Sequence, residues 1–140
     1  MGSYTFIDHT ADVGMEVEAA DRTELFSLAA RGMFAIICDV EKVRSVREKK
    51  VTLASNDLKG LLHEWLAELL YIYDSEFEIY TEFEFDFDAD GKRLTAVARG
   101  EDADDERHGL HGEIKNVTWC DYTVEEKPDG GFFARIVFDL

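Results

Sequence analysis

Between residues 58 and 87 the hydrophobic period of this chain changes from 3.6 to 2, and few arrangements accommodate such a change. Leu58, Leu61, Leu62, Trp65, Leu66, Leu69, Leu70 and Tyr73 recur at i, i+3, i+4 and i+7 spacing, the apolar stripe of a helix lying on a core. Ser55-Asn56-Asp57 supplies its cap, and His63, Glu64, Ala67 and Glu68 fall on or near the opposite face. From Phe77 the side chains alternate. Phe77, Ile79, Thr81, Phe83, Phe85 and Phe87 predict a buried face, and Glu76, Glu78, Tyr80, Glu82, Glu84 and Asp86 a wet one. Asp90-Gly91 then turns the chain, so that residues 94–100 return antiparallel as a hairpin.

The flanking sequence extends this pattern. Residues 5–9 and 13–19 read as two short strands, the second alternating Val13, Met15 and Val17 with Gly14, Glu16 and Glu18. Asp21 caps a helix from Arg22 to about Ile37, with Glu24 placed to reach back to a free amide. Leu25, Leu28, Ala29, Gly32 and Ile36 form its stripe. Residues 46–54 read as a strand, 102–112 as an acidic loop without periodicity, and 114–125 and 132–139 as a hairpin about the turn Pro128-Asp129-Gly130-Gly131. The order is ββαβα followed by four strands. This predicts an α+β fold, a mostly antiparallel β-sheet with two α-helices packed together against it, as a single domain over residues 1–140.

Charge narrows the function. Thirty-one acidic residues stand against 15 basic ones, a formal charge of −16. Nucleic-acid affinity comes largely from Lys and Arg displacing counterions, so strong unaided binding to RNA or DNA is not expected. A cation or a basic protein partner is. No apolar run approaches the roughly 20 residues of a membrane span, and the first residues have no basic and apolar leader. The two cysteines, Cys38 and Cys120, are too few for a disulfide framework. Both have apolar or aromatic neighbours and read as buried thiols in a cytoplasmic protein.

Several motifs fail on inspection. Asp86-Phe87-Asp88-Ala89-Asp90-Gly91 begins like an EF-hand loop, but its twelfth position is Val97 where a bidentate Glu is required. It reads as a hairpin tip. His9, His63, His108 and His111 show no zinc-protease spacing, and His108 and His111 read as solvated loop residues that could in principle share a metal. There is no G-x-S-x-G. Lys115 is a lone cation at the start of a strand.

Asp8-His9-Thr10-Ala11-Asp12 packs two carboxylates, an imidazole and a hydroxyl between two short strands. On spacing alone a polar turn, in which Asp8 or Asp12 caps a local amide, is the commoner reading of such a segment. Asp139-Leu140 adds a carboxylate beside the α-carboxylate of Leu140. If the first and last strands are neighbours, Asp12, Asp139 and the Leu140 carboxylate converge. Anionic oxygens so gathered repel one another unless a hard divalent cation joins them, and an all-oxygen set points to calcium or magnesium rather than zinc.

The sequence resembles the archease family over essentially its whole length. The resemblance is carried by Asp8-His9-Thr10-Ala11-Asp12, by His63-Glu64-Trp65-Leu66-Ala67-Glu68-Leu69-Leu70, by Ile114-Lys115-Asn116-Val117-Thr118-Trp119, and by Phe138-Asp139-Leu140. It implies an accessory protein, itself non-catalytic, for the RtcB-type RNA ligase of tRNA splicing and RNA repair. Such a protein promotes guanylylation of the ligase by GTP and allows its repeated turnover. It also implies a divalent-cation site at Asp12, Asp139 and Leu140, with Asp8 and His9 as groups that orient Asp12. Cys120 lies where many members have His, and Phe138 where some have Pro.

Two other classes compete. A general chaperone or modulator of a tRNA-modifying methyltransferase would depend on the sheet surface and bulk charge. A metal-dependent hydrolase would use Asp8, His9 and Asp12, but lacks an anion-binding group other than Lys115.

Overall fold

The computed structural model describes residues 2–9 and 12–140, with the side chains of Asp8 and His9 also outside the description. Its main elements are β1 (Ser3–His9), β2 (Asp12–Ala19), α1 (Arg22–Ile37), β3 (Arg47–Ala54), α2 (Leu58–Glu76), β4 (Glu78–Phe87), β5 (Arg93–Asp102), α3 (Asp105–His108), β6 (Asn116–Val117), β7 (Thr123–Glu126) and β8 (Phe132–Asp139). The α+β expectation holds, with antiparallel strands and two main helices. The strands form two sheets rather than one. The first runs β1-β2-β8-β6, with β7 also on β8, and the second runs β3-β5-β4. Each main helix touches both sheets: α1 meets β2 and β4, and α2 meets β6, β7, β3 and β4.

Local chemistry sets the helix starts. Asp21 accepts from the Glu24 amide at 2.8 Å, while the Glu24 carboxylate takes the Ala20 amide at 2.7 Å. Asp57 accepts from the Gly60 amide at 2.7 Å. The apolar stripes are wider than the spacing predicts, because each helix is covered on two sides. Phe26, Ala30, Met33, Phe34 and Ile37 are buried along with the expected Leu25, Ala29 and Gly32, whereas the expected Leu28 and Ile36 are only half-buried. Trp65 is fully buried, donates its indole N–H to the Phe26 carbonyl at 3.1 Å, and meets Phe83 and Phe85 edge-on.

Several expectations need correction. Phe77 is not on a buried face. It ends α2 in the left-handed conformation (φ 56°) and is 48% exposed. Up to the register shift between Tyr80 and Glu82 both faces of β4 are covered, so Glu78 and Tyr80 are buried along with Ile79 and Thr81. The buried Glu78 carboxylate is matched by Arg47 at 2.9 Å, Lys49 at 3.2 Å and the Tyr80 hydroxyl at 2.7 Å. Gly100 permits the irregularity, since a Cβ there would lie 1.8 Å from the Ile79 carbonyl oxygen.

The 102–112 segment is not a featureless loop, because it carries α3, capped by Asp104. His108 is wholly buried rather than solvated. Its Nδ1 accepts from the Asp104 amide at 3.0 Å and its Nε2 meets Glu101 at 2.8 Å. His111 instead pairs with the Gly109 carbonyl, so these two histidines share no site. Residues 114–125 are two strands separated by a loop at 118–122. Cys120 lies on that loop and is exposed, unlike Cys38, whose burial pushes its thiol up to about 11. The 86–91 segment is a hairpin tip as expected. Asp88 spends its carboxylate on the Lys92 and Arg93 amides, both at 3.0 Å.

Candidate functional site

β8 inserts beside β2 rather than beside β1, and this placement brings the acidic ends together. Asp12 opens β2 and pairs across the antiparallel ladder with Asp139 at the end of β8. Directly opposed residues share a face, with Cβ atoms about 4.5–5.5 Å apart. On its other flank Asp139 pairs with Asn116 of β6, whose Nδ2 donates to Asp139 Oδ2 at 3.2 Å. The Lys115 amide donates to the Asp139 carbonyl at 2.7 Å, fixing β6 there. On the β1 side the register sets His9 opposite Asp12. One row of the sheet therefore reads His9, Asp12, Asp139, Asn116.

The row belongs to the solvent side of the sheet. Met15, Val17 and Ala19 alternate inward along β2, and Phe132, Ala134, Ile136 and Phe138 along β8. Asp12, Gly14, Glu16 and Glu18 oppose Asp139, Val137, Arg135 and Phe133 on the other face. Farther along it Arg135 neutralises Glu16 at 2.6 Å. Gly14 sits in the row beside the acidic pair, and a Cβ there would meet Ile7 Cγ1 at 2.6 Å. Glycine thus leaves room for the side chain of Ile7, its register partner on β1, next to the site.

The donor chemistry fits a hard cation. Two aspartates face each other across a ladder, an arrangement that is unfavourable for like charges, and Leu140 follows directly. Among the described residues no group of three or more His, Cys, Asp or Glu side chains gathers to hold a metal. A site here would draw on the two carboxylates and a chain-end oxygen. Thr10 and Ala11 of the predicted motif lie outside the described residues, as do the side chains of Asp8 and His9.

Residue patterns alone did not single out Asn116 for this row, although it stands inside a quoted motif. They also missed an aromatic stack against α2. His63, expected on the outer face of α2, is 7% exposed and lies parallel to Trp119, with ring centroids 3.6 Å apart and an 8° interplanar angle. Tyr122 meets both rings edge-on. Burial lowers the pKa of His63, against smaller raising effects from the Thr118 and Val117 backbone and from Glu64.

The architecture and this row define an acidic α+β protein whose outward chemistry is a row of carboxylates at a strand end. Residues 4–140 match the Archease protein family (MTH1598/TM1083). The chain is 37% identical to the protein archease of Methanothermobacter thermautotrophicus and 34% identical to that of Pyrococcus abyssi, with full coverage of both chains in each case. It superimposes on the solution structure of Methanobacterium thermoautotrophicum protein 1598 with a TM-score of 0.80 at 33% identity, covering 99% of each chain. The Thermotoga maritima archease TM1083, described as a possible chaperone, shares the fold at a TM-score of 0.64 and 17% identity, over 96% of this chain and 94% of that one. This chain belongs to the archease family.

Proposed function

We propose that this protein is a non-catalytic activator of a GTP-dependent, RtcB-type RNA ligase in the cytoplasm, acting in tRNA splicing and RNA repair. It promotes ligase guanylylation and repeated turnover. The observation that carries this reading is Asp12 set opposite Asp139 across the β2–β8 ladder, at the end of the chain. In this reading Asp12, Asp139 and the Leu140 carboxylate hold calcium or magnesium. The cation, when bound, supplies compensating positive charge at the strand end. Asn116 orients Asp139 through its amide, and the register position of His9 suits a group that orients Asp12. The formal charge of −16 steers the protein toward a basic, nucleotide-binding enzyme and away from free RNA.

The test is a ligase guanylylation assay with and without the protein, in calcium, in magnesium and in chelator. Wild type raises the rate and the number of turnovers, whereas Asp12→Ala and Asp139→Ala do not, while keeping native circular dichroism. If both variants activate like wild type, the site assignment is wrong. A methyltransferase chaperone would respond instead to Asp→Asn changes spread over the sheet surface.

A further inference from the structure

The His63–Trp119 stack is not explained by the acidic row or by the core. The chain has two tryptophans. Trp65 is wholly buried, whereas Trp119 is 60% exposed, which leaves roughly 150 Å² of a side chain that can bury 150–250 Å² in water. Such a residue is ordinarily mobile or sealed inward. This one is neither.

Its loop is pinned at each step. The Thr118 amide and hydroxyl both donate to the Val137 carbonyl, each at 3.0 Å. The Cys120 amide donates back to Thr118 Oγ1 at 3.2 Å. The Tyr122 amide donates to the Trp119 carbonyl at 3.3 Å, and the Tyr122 hydroxyl to the Lys59 carbonyl in the first turn of α2 at 2.7 Å. One indole face rests on His63, a buried imidazole whose Nε2 has no hydrogen-bond partner among the described residues. The other face looks outward. A rigid aromatic surface held before binding loses little entropy when it binds, as at interface anchors.

The surroundings select the occupant. Asp57 acts on Tyr122 and Glu64 on His63 through their charges, Asp121 shares the loop, and Asp139 pairs with Asn116 three residues before Trp119. These carboxylates outnumber the nearby ammonium groups of Lys59, which sits 5.9 Å over the Tyr122 ring, and Lys115. An aromatic face in a negative field attracts a cation. It repels the phosphates that would accompany a stacked nucleobase.

We propose that Trp119, backed by His63 and Tyr122, is a docking anchor for an arginine side chain on the basic surface of a protein partner. The partner's identity as the ligase rests on the function proposed above; the chemistry of the anchor does not.

Two arms test them separately. In the first, wild type, Trp119→Phe and Trp119→Ala are titrated into the ligase, reading both affinity and guanylylation rate. Trp119→Ala raises the dissociation constant and the half-activating concentration about 10- to 100-fold, with the plateau rate retained, and Trp119→Phe falls between. In the second, an arginine-rich peptide, a lysine-rich peptide, GTP and oligouridylate are titrated against the wild-type-minus-Trp119→Phe fluorescence difference, which isolates the Trp119 indole. The arginine peptide gives a saturable change, the lysine peptide a weaker one, and GTP and oligouridylate none. A saturable response to GTP or oligouridylate alone overturns the proposal in favour of a nucleobase platform. If Trp119→Ala lowers the melting temperature but binds ligase and peptide like wild type, the indole is only a cover for His63 and the proposal fails. If wild type ignores the ligase while the peptide response stands, the partner is wrong and the anchor right.

Discussion

The facing aspartates make a prediction whose sign depends on conditions. Two carboxylates about 5 Å apart repel by about 1–3 kcal/mol for an effective dielectric between 80 and 20, and the solvent-facing strand end favours the weaker repulsion. Asp12→Asn or Asp139→Asn removes that repulsion and keeps the shape. At position 139 the remaining carbonyl oxygen still accepts from Asn116, as Oδ2 does at 3.2 Å in the native side chain. In chelator Asp139→Asn therefore melts at or above the wild-type temperature. For 140 residues the unfolding entropy is about 0.3 kcal/mol per degree, so the gain is a few degrees.

Added cation reverses the order. A ligand present at about 10 to 100 times its dissociation constant stabilises by about 1.4–2.7 kcal/mol, or about 5–9 °C by the same entropy. Wild type gains this in roughly 10 mM calcium or magnesium if the site binds with the affinity of weak oxygen-donor sites, about 10⁻⁴–10⁻³ M. The variants gain about a third of it or less. Melting curves by circular dichroism, with and without chelator, read the crossing directly. Equal cation shifts in all three proteins would refute the site, and so would an Asp139→Asn protein that melts several degrees lower in chelator. The first result would mean non-specific binding to an acidic surface, the second that Asp139 is structural.

Two further outcomes concern the frame around the site. Glu101 is buried, and although burial raises its pKa, bonds from His108, the Arg44 amide and the nearby Arg107 charge outweigh that and hold it below the ordinary 4.5. Its stabilisation is complete above that value and is lost as pH falls through the folded one. Glu101→Gln turns an amide donor toward groups that already donate, and costs about 2–4 kcal/mol near neutral pH. That is a melting drop of about 7–14 °C, shrinking toward pH 3; a pH-independent drop would show that packing alone is at stake. Gly100→Ala, with its Cβ meeting the Ile79 carbonyl oxygen, costs about 1–3 kcal/mol in urea unfolding, and a neutral result would mean the β4 irregularity can slide.

The parts of the fold legible in the sequence are those set by neighbours along the chain. Asp21 and Asp57 cap the helices they were expected to cap, and the strand at 132–139 has the bounds its alternation predicts. Failures occur where a distant group decides. Glu78 reads as a wet residue because alternation counts only parity. It is buried because Arg47 and Lys49, about thirty residues earlier, come to meet it on the far side of β5. His108 reads as a loop histidine until Glu101 and the Asp104 amide satisfy both its nitrogens. The break at 118–122 leaves no periodic trace, since Trp119 and Tyr122 look like strand residues until His63 is placed beneath them.

The same reasoning explains why the acidic ends looked inconclusive in isolation. Asp12 and Asp139 are separated by nearly the whole chain, and nothing local says which strand β8 will pair with. The deciding contacts are hydrophobic and lie on the other face. Met15, Val17 and Ala19 turn inward beside Ile136, Ala134 and Phe132, to which they are register partners, and these pairs pack with α1 in the core. A one-residue slip would expose all of them. Core packing therefore fixes the register, and the register sets Asp12 opposite Asp139. The carboxylates are set opposite each other by burial they do not share, and that imposed pairing is the geometry on which the proposed cation site rests.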